Sequence, residues 1–248
     1  MKKLFVLFAV ACLALTASAQ FSNSGSSSTT YDSDNSGWST IYLEYNPMSM
    51  YYSGKKEKGY DYDAVNYNGF SLGYSRAFAL SQSIPIFLET GLGAQFTFRS
   101  DTKESNENYH STWWKETTRV HMLSLKVPVN FMYKWSIPNS KVELIPYLGL
   151  TMRANVWGQV KESEEGEDDY EVSGVYSDSE SYNLFSEDED KGMGKGNAWK
   201  RFQIGWQIGL KARFAQKFVV GGSFGTDFME IAKNEKFITG SIMLGYSF

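Results

Sequence analysis

Few side chains in this sequence could carry out chemistry, and they are unevenly spread. There are two histidines, His110 and His121, and one cysteine, Cys12. That is too little for a His-rich centre, and no CxxC pair exists. His110 is followed by Ser111 and Thr112. A hydrolase or acyltransferase needs its hydroxyl and base within hydrogen-bond reach, which adjacent residues seldom achieve. No catalytic, cofactor-binding or metal residue is therefore assigned, no cofactor is expected, and the chain is not read as an enzyme. The strongest charge feature lies at 161–190, where 13 acids stand with Lys161 as the single base. They are Glu162, Glu164, Glu165, Glu167, Asp168, Asp169, Glu171, Asp178, Glu180, Glu187, Asp188, Glu189 and Asp190. Such a run repels itself and predicts a mobile, solvated loop. It could also attract a divalent cation or a basic partner, although no EF-hand pattern is present. Outside this run and the two N-terminal lysines, 21 bases face 15 acids. The formal charge of −4 argues against a broadly basic nucleic-acid binder.

The remaining ionisable residues gain meaning from the elements that hold them. Apolar and polar residues alternate along most of the chain, which predicts strands with two unlike faces. Eight are expected, roughly at 38–46, 67–80, 84–99, 118–135, 141–158, 199–214, 217–229 and 236–248. In the sixth, Phe202, Ile204, Trp206, Ile208, Leu210, Ala212 and Phe214 oppose Arg201, Gln203, Gly205, Gln207, Gly209, Lys211 and Arg213. A helical period would scatter both sets around the axis. Short turns near 81–83, 136–140 and 215–216 alternate with longer links near 47–66, 100–117, 159–198 and 230–235. That is the pattern of an up-and-down antiparallel barrel.

Residues 1–19 read as a secretory signal peptide, with Lys2 and Lys3, a twelve-residue apolar run and Ala17-Ser18-Ala19. Cleavage is expected between Ala19 and Gln20. Twelve helical residues span about 18 Å, too short for a bilayer. A lipoprotein signal ending at Cys12 is the alternative. Residues 20–37 form a Ser-rich leader, and 38–248 form the barrel with a long acidic loop at 159–198.

Alternation alone leaves two barrels open. A periplasmic lipocalin-like binder would turn its apolar set inward around a ligand, and a transmembrane barrel would turn it outward. Glycines on the polar face, among them Gly73, Gly93, Gly149, Gly209 and Gly221, suit a narrow lumen better than a solvent face. Aromatics gather near both ends of the apolar face: Tyr133, Trp135, Phe214, Phe218 and Phe248 at one, Tyr45, Phe96, Phe98 and Phe228 at the other. The expectation is an all-β, eight-stranded antiparallel up-and-down transmembrane β-barrel. Parity then predicts nine interior charges: Glu44, Glu89, Lys126, Glu143, Arg153, Arg201, Lys211, Arg213 and Asp227. They could form structural ion pairs or line a narrow polar path. Pro128 predicts a local bulge. Arg76, on the lipid parity, predicts either snorkelling or a bulge before it.

The signal end at Ala17 to Gln20, the stretch Leu125-Lys126-Val127-Pro128-Val129-Asn130-Phe131 and the terminal Leu244-Gly245-Tyr246-Ser247-Phe248 resemble the outer membrane protein β-barrel domain family of gram-negative bacteria. The resemblance implies an outer-membrane location, contact with outer-membrane lipid, and a last strand read by the barrel-assembly machinery through Tyr246 and Phe248. It implies a structural or surface-interaction role and supplies no catalytic residues. A few small outer-membrane barrels modify lipid A, so a lipid-modifying barrel enzyme remains the other alternative.

Overall fold

The computed structural model describes residues 36–55, 63–107, 112–168, 174–188 and 190–248. The expected signal peptide with its Ala19/Gln20 cleavage point, and most of the leader, lie outside the described residues. Among the described residues eleven strands are present: β1 (Trp38–Tyr45), β2 (Met48–Tyr52), β3 (Val65–Ala79), β4 (Ile86–Glu107), β5 (Thr112–Tyr133), β6 (Trp135–Ser136), β7 (Val142–Asp168), β8 (Gly174–Asn183), β9 (Phe202–Phe214), β10 (Phe218–Asp227) and β11 (Glu235–Ser247). Eight of them pair antiparallel around a ring in the order β1, β3, β4, β5, β7, β9, β10, β11, and β11 returns to β1 through Thr40↔Ser247 to Tyr45↔Ile242. Ser39 and Phe248 exchange backbone hydrogen bonds of 2.9 and 3.0 Å at the end of that seam.

The two faces are inverted relative to a water-soluble barrel. Ile41, Leu43, Leu72, Leu148, Ile208, Ile242 and Leu244 point outward and are each at least 50% exposed. Glu44, Glu89, Gln95, Ser124, Asn130, Gln203 and Lys211 point inward and are buried. A soluble ligand binder would bring the apolar set together inside, so the lipocalin-like reading fails on this distribution. Rings on the outer face form a row at the loop end, running Tyr45, Phe70, Phe98, Phe96 and His121 with successive centroids 5.3 to 6.2 Å apart. At the turn end Phe218 meets Tyr246 at 5.8 Å. An apolar belt between two aromatic rims defines a membrane-spanning β-barrel.

Several local expectations change. The link expected at 47–66 contains β2, which continues β1 after Asn46-Pro47 and pairs with β3 and β11. Pro47 has no N–H to continue the ladder. Pro128 causes no bulge. The β4–β5 register is the same on both sides of it, and pairing lapses only between Thr90↔Val129 and Gly93↔Lys126. The bulge in this region lies instead at Val156, between Leu123↔Trp157 and Ser124↔Asn155. No bulge precedes Arg76, whose strand keeps one register with both neighbours. Its guanidinium donates to Ser39 Oγ at 3.0 Å.

Glycine serves the lumen by close approach. A Cβ on Gly73 would meet the Tyr42 ring at 2.5 Å, and one on Gly209 would meet the Tyr147 ring at 2.4 Å. Two large rings therefore lie flat inside a narrow wall. The tightest turn joins β9 to β10, where Ala215 and Gln216 both have positive φ, 48° and 61°. Lys217 N–H donates to Phe214 C=O at 3.0 Å. This is the mirror-image turn that suits strand twist, and it is usually built from Asn-Gly. Replacing Gln216 by Gly should relieve about 1 kcal/mol of left-handed strain. Urea unfolding in phospholipid vesicles should show a raised midpoint; a lowered midpoint would contradict the turn geometry.

Candidate functional site

The lumen is arranged in layers. At the turn end Trp38, Ala77, Phe87, Met132, Ile145 and Tyr147 form an apolar cluster. At the loop end Met48, Tyr67, Met122, Leu184, Trp199 and Phe237 belong to another. Ion pairs lie in the lumen with them. Lys126 Nζ is 2.6 Å from Glu44 Oε2, joining β5 to β1 across the lumen. Lys211 Nζ is 2.6 Å from both oxygens of Glu89, joining β9 to β4. Arg213 Nε donates to Glu143 at 2.5 Å between neighbouring strands. Arg153 grips both carboxylate oxygens of Asp227. Buried charges persist only when paired and hydrogen-bonded, and here every carboxylate in the layer has a cation.

Glu89 is the hub. It also accepts from Ser75 Oγ at 2.9 Å and from Asn130 Nδ2 at 2.7 Å, and Gln207 donates to Asn130 Oδ1 at 2.7 Å. Aromatic faces shield the cations: Arg213 lies 4.0 Å from the Trp38 centroid and Lys211 5.0 Å from that of Tyr147. At the loop end a hollow of about 320 Å³ opens beside Tyr67, Leu184 and Trp199, whereas the spaces within the charged layer are small, one of about 30 Å³ beside Gln95, Arg153 and Asp227, and one of about 20 Å³ beside Tyr42, Glu89 and Asn130. Each of these two is the size of a water site.

Arg201 is the exception among the nine expected interior charges. It is exposed, its guanidinium stacks 4.5 Å from the Phe185 centroid, and it donates to Val156 C=O at 3.3 Å. The ladder of β9 begins at Phe202, so the alternation does not carry back to Arg201. Sequence reasoning also missed members of this layer. Lys134 is buried beneath the Phe87 ring at 5.4 Å, and even-numbered parity along β5 could have found it. Ser75, Asn130 and Gln207 share the inward parity of their strands, but parity does not single out which uncharged residues join the charges.

The acidic segment is not the loop expected at 159–198. Beyond the barrel, β4, β5, β7 and β8 continue as a four-stranded sheet, with β7 and β8 paired from Gln159↔Asn183 to Asp168↔Gly174. The link expected at 100–117 is likewise mostly strand. On the lumen-side face, cross-strand rows read Asp101, Thr118, Glu162, Glu180 and then Lys103, Glu116, Glu164, Asp178. Acidic residues thus stand beside one another on one face. Tyr176 donates to Glu164 at 2.9 Å, and Tyr182 donates to Glu180, whose carboxylate holds the Tyr182 hydroxyl up at about 12. Glu187, Asp188 and Asp190 follow on exposed backbone, while Asp169, Glu171 and Glu189 lie outside the described residues. Among the described residues no group of acids or imidazoles converges to hold a metal ion.

Of the remaining candidates, His121 faces outward and stacks on Phe96 at 5.9 Å. His110 and Ser111 lie outside the described residues. Tyr246 and Phe248 face outward, 45% and 65% exposed.

No protein-family model and no curated protein matches the sequence. Among solved structures, the chain is similar to the attachment invasion locus protein Ail of Yersinia pestis, at 18% identity and a TM-score of 0.33, over 86% of this chain and 99% of that one. It is also similar to Neisserial surface protein A, at 11% identity and a TM-score of 0.31, over 84% and 95%. An outer membrane channel from Pseudomonas putida matches at 8% identity and a TM-score of 0.32, over 90% and 100%. The class assigned here, a membrane-spanning barrel, rests on the chain's own faces.

Removing one partner of a buried pair leaves the other uncompensated. Glu89→Ala strands Lys211 and should cost about 3–5 kcal/mol. Urea titration of the vesicle-embedded protein is the check; an unchanged midpoint would mean that the pair contributes nothing.

Proposed function

We propose that this protein is an outer-membrane barrel whose lumen is sealed and whose function lies in the sheet it raises above the membrane. The barrel places its long strands and loops at the end that faces the cell exterior in barrels of this construction. The ion-pair layer and the two apolar clusters support a lumen filled by its own side chains, as expected for eight strands. The role is surface interaction rather than catalysis, and the partner class is a basic polypeptide.

One observation carries this reading. The lumen-side face of the sheet sets Glu116, Glu162, Glu164, Asp178 and Glu180 side by side across three strands. Like charges placed directly opposite destabilise a sheet. A cationic partner removes that repulsion on binding, so the unfavourable arrangement in the free protein becomes a source of affinity and of fast encounter.

Two measurements test the proposal. Planar-bilayer recording should show no steady conductance; large, steady currents from the wild type would overturn the sealed lumen. Vesicle-embedded protein should bind fluorescent poly-lysine in a salt-sensitive manner. The variant Glu162→Gln/Glu164→Gln/Asp178→Asn/Glu180→Gln should bind about tenfold more weakly, a loss of ~1.4 kcal/mol. Equal binding by the two proteins would remove the acidic face from the function.

A further inference from the structure

The opposite face of the same sheet differs in its three rows nearest the barrel, below the row that holds Glu104, Lys115 and Glu165. Directly above the aromatic row, the cross-strand row on the outer face reads Ser100, Arg119, Lys161, Ser181. The row beneath is Phe98, His121, Gln159, Asn183, and the row above is Thr102, Thr117, Ser163, Ser179. All three rows contain hydrogen-bond donors and none contains an acid. Arg119 and Lys161 are exposed and are Cα partners, so two like charges sit directly opposite each other, an arrangement that costs stability unless an anion bridges them. Neither forms an ion pair among the described residues. Below Ser181, a cleft of about 370 Å³ is lined in part by Trp157, Gln159, Lys191 and Arg201, which adds two more cations at the same rim.

Height decides what this face meets. The ring row from Tyr45 to His121 marks the interface where aromatics sit at headgroup level. Groups one or two residues above it on the lipid-facing parity stand among the headgroups, and the anionic groups there are phosphates. Arg and Lys beside Ser hydroxyls make charge-assisted bonds to phosphate oxygens. We propose that the outer face around Arg119 and Lys161 binds the phosphate of an outer-leaflet lipid headgroup and anchors the raised sheet to the membrane surface. This inference rests on the membrane placement proposed above and assigns a second ligand to the sheet, on the face away from the basic partner.

The test uses the full chain in phosphatidylcholine vesicles doped with lipid A, followed by detergent extraction and mass spectrometry of the lipid retained. Wild type should retain lipid A. Arg119→Gln/Lys161→Gln should retain about tenfold less, in keeping with the loss of charged hydrogen bonds. Lys115→Gln, on the outer face above these three rows, should behave as wild type. Should the double variant fail to fold, wild type alone decides: it should prefer lipid A to its enzymatically dephosphorylated form, and equal retention of both would overturn the proposal. Equal retention by folded wild type and double variant would also overturn it. Displacement by inorganic phosphate would identify a free anion as the ligand and reject the headgroup. Failure of the wild type to enter vesicles would instead count against the membrane reading, and the proposal would fall with it.

Discussion

Backbone pairing in the absence of water is the constraint on which this structure depends. An amide or carbonyl left unpaired in hydrocarbon costs several kcal/mol, so a sheet that crosses a bilayer cannot keep an edge. The seam from Thr40↔Ser247 to Tyr45↔Ile242 is therefore a requirement of the fold, and it determines the rest. Once the ring closes on eight strands, its outer parity belongs to lipid. Its inner parity becomes a wall too narrow for anything but side chains. Gly73 and Gly209 give up volume so that Tyr42 and Tyr147 can lie across that wall.

The same closure explains why the lumen is charged. The inward parity of a lipid-crossing strand cannot simply be apolar, because strands that are apolar on both faces would resemble core strands of a soluble protein. Polar residues are placed inside, and burial then forces them to satisfy one another. Glu89 illustrates this with donors from three residues, Lys211, Ser75 and Asn130, and Gln207 extends the network by donating to Asn130. Parity read from sequence says which residues face inward wherever a strand is continuous. It cannot say that Glu44 meets Lys126 rather than Arg153, because that depends on strand stagger around the ring. Arg201 shows the other limit. It sits one residue outside the β9 ladder, where the backbone no longer alternates, and its side chain follows Phe185 instead.

In the acidic segment net charge and residue pattern point in different directions. Charge repulsion argues for a solvated loop, yet the alternation was present. Val160, Glu162 and Glu164 share one parity, as do Tyr176, Asp178, Glu180 and Tyr182, while Ser177, Ser179 and Ser181 occupy the other. Glu162, Glu164, Asp178 and Glu180 fall on one face, Glu165 and Glu167 fall with the serines on the other, and the ladder of β7 with β8 compensates the repulsion with backbone hydrogen bonds. The Ala215-Gln216 turn was easier to place, since two strong strand patterns abut with only two residues between them. The bulge at Val156 has one mark in the sequence, the adjacent apolar pair Val156-Trp157, which breaks the alternation and leaves both side chains exposed.

A strand that leaves the bilayer keeps its two faces, which gives the raised sheet its two characters. The outer parity of β5 and β7 runs without a change of side from lipid-facing Leu123 and Trp157, through His121 and Gln159, to Arg119 and Lys161. The inner parity of β5 runs from Ser124 in the lumen through Val120 in the apolar cap to Glu116 in the acidic face. Solvent changes along the strand from hydrocarbon to headgroup to water, and residue type changes with it, while direction does not. An isolated loop with the same composition could not hold Arg119 and Lys161 on one face and Glu116, Glu162 and Glu164 on the other. The separation follows from extending the barrel's own strands, and a single register shift in β7 would exchange the faces and place the acids against the headgroups.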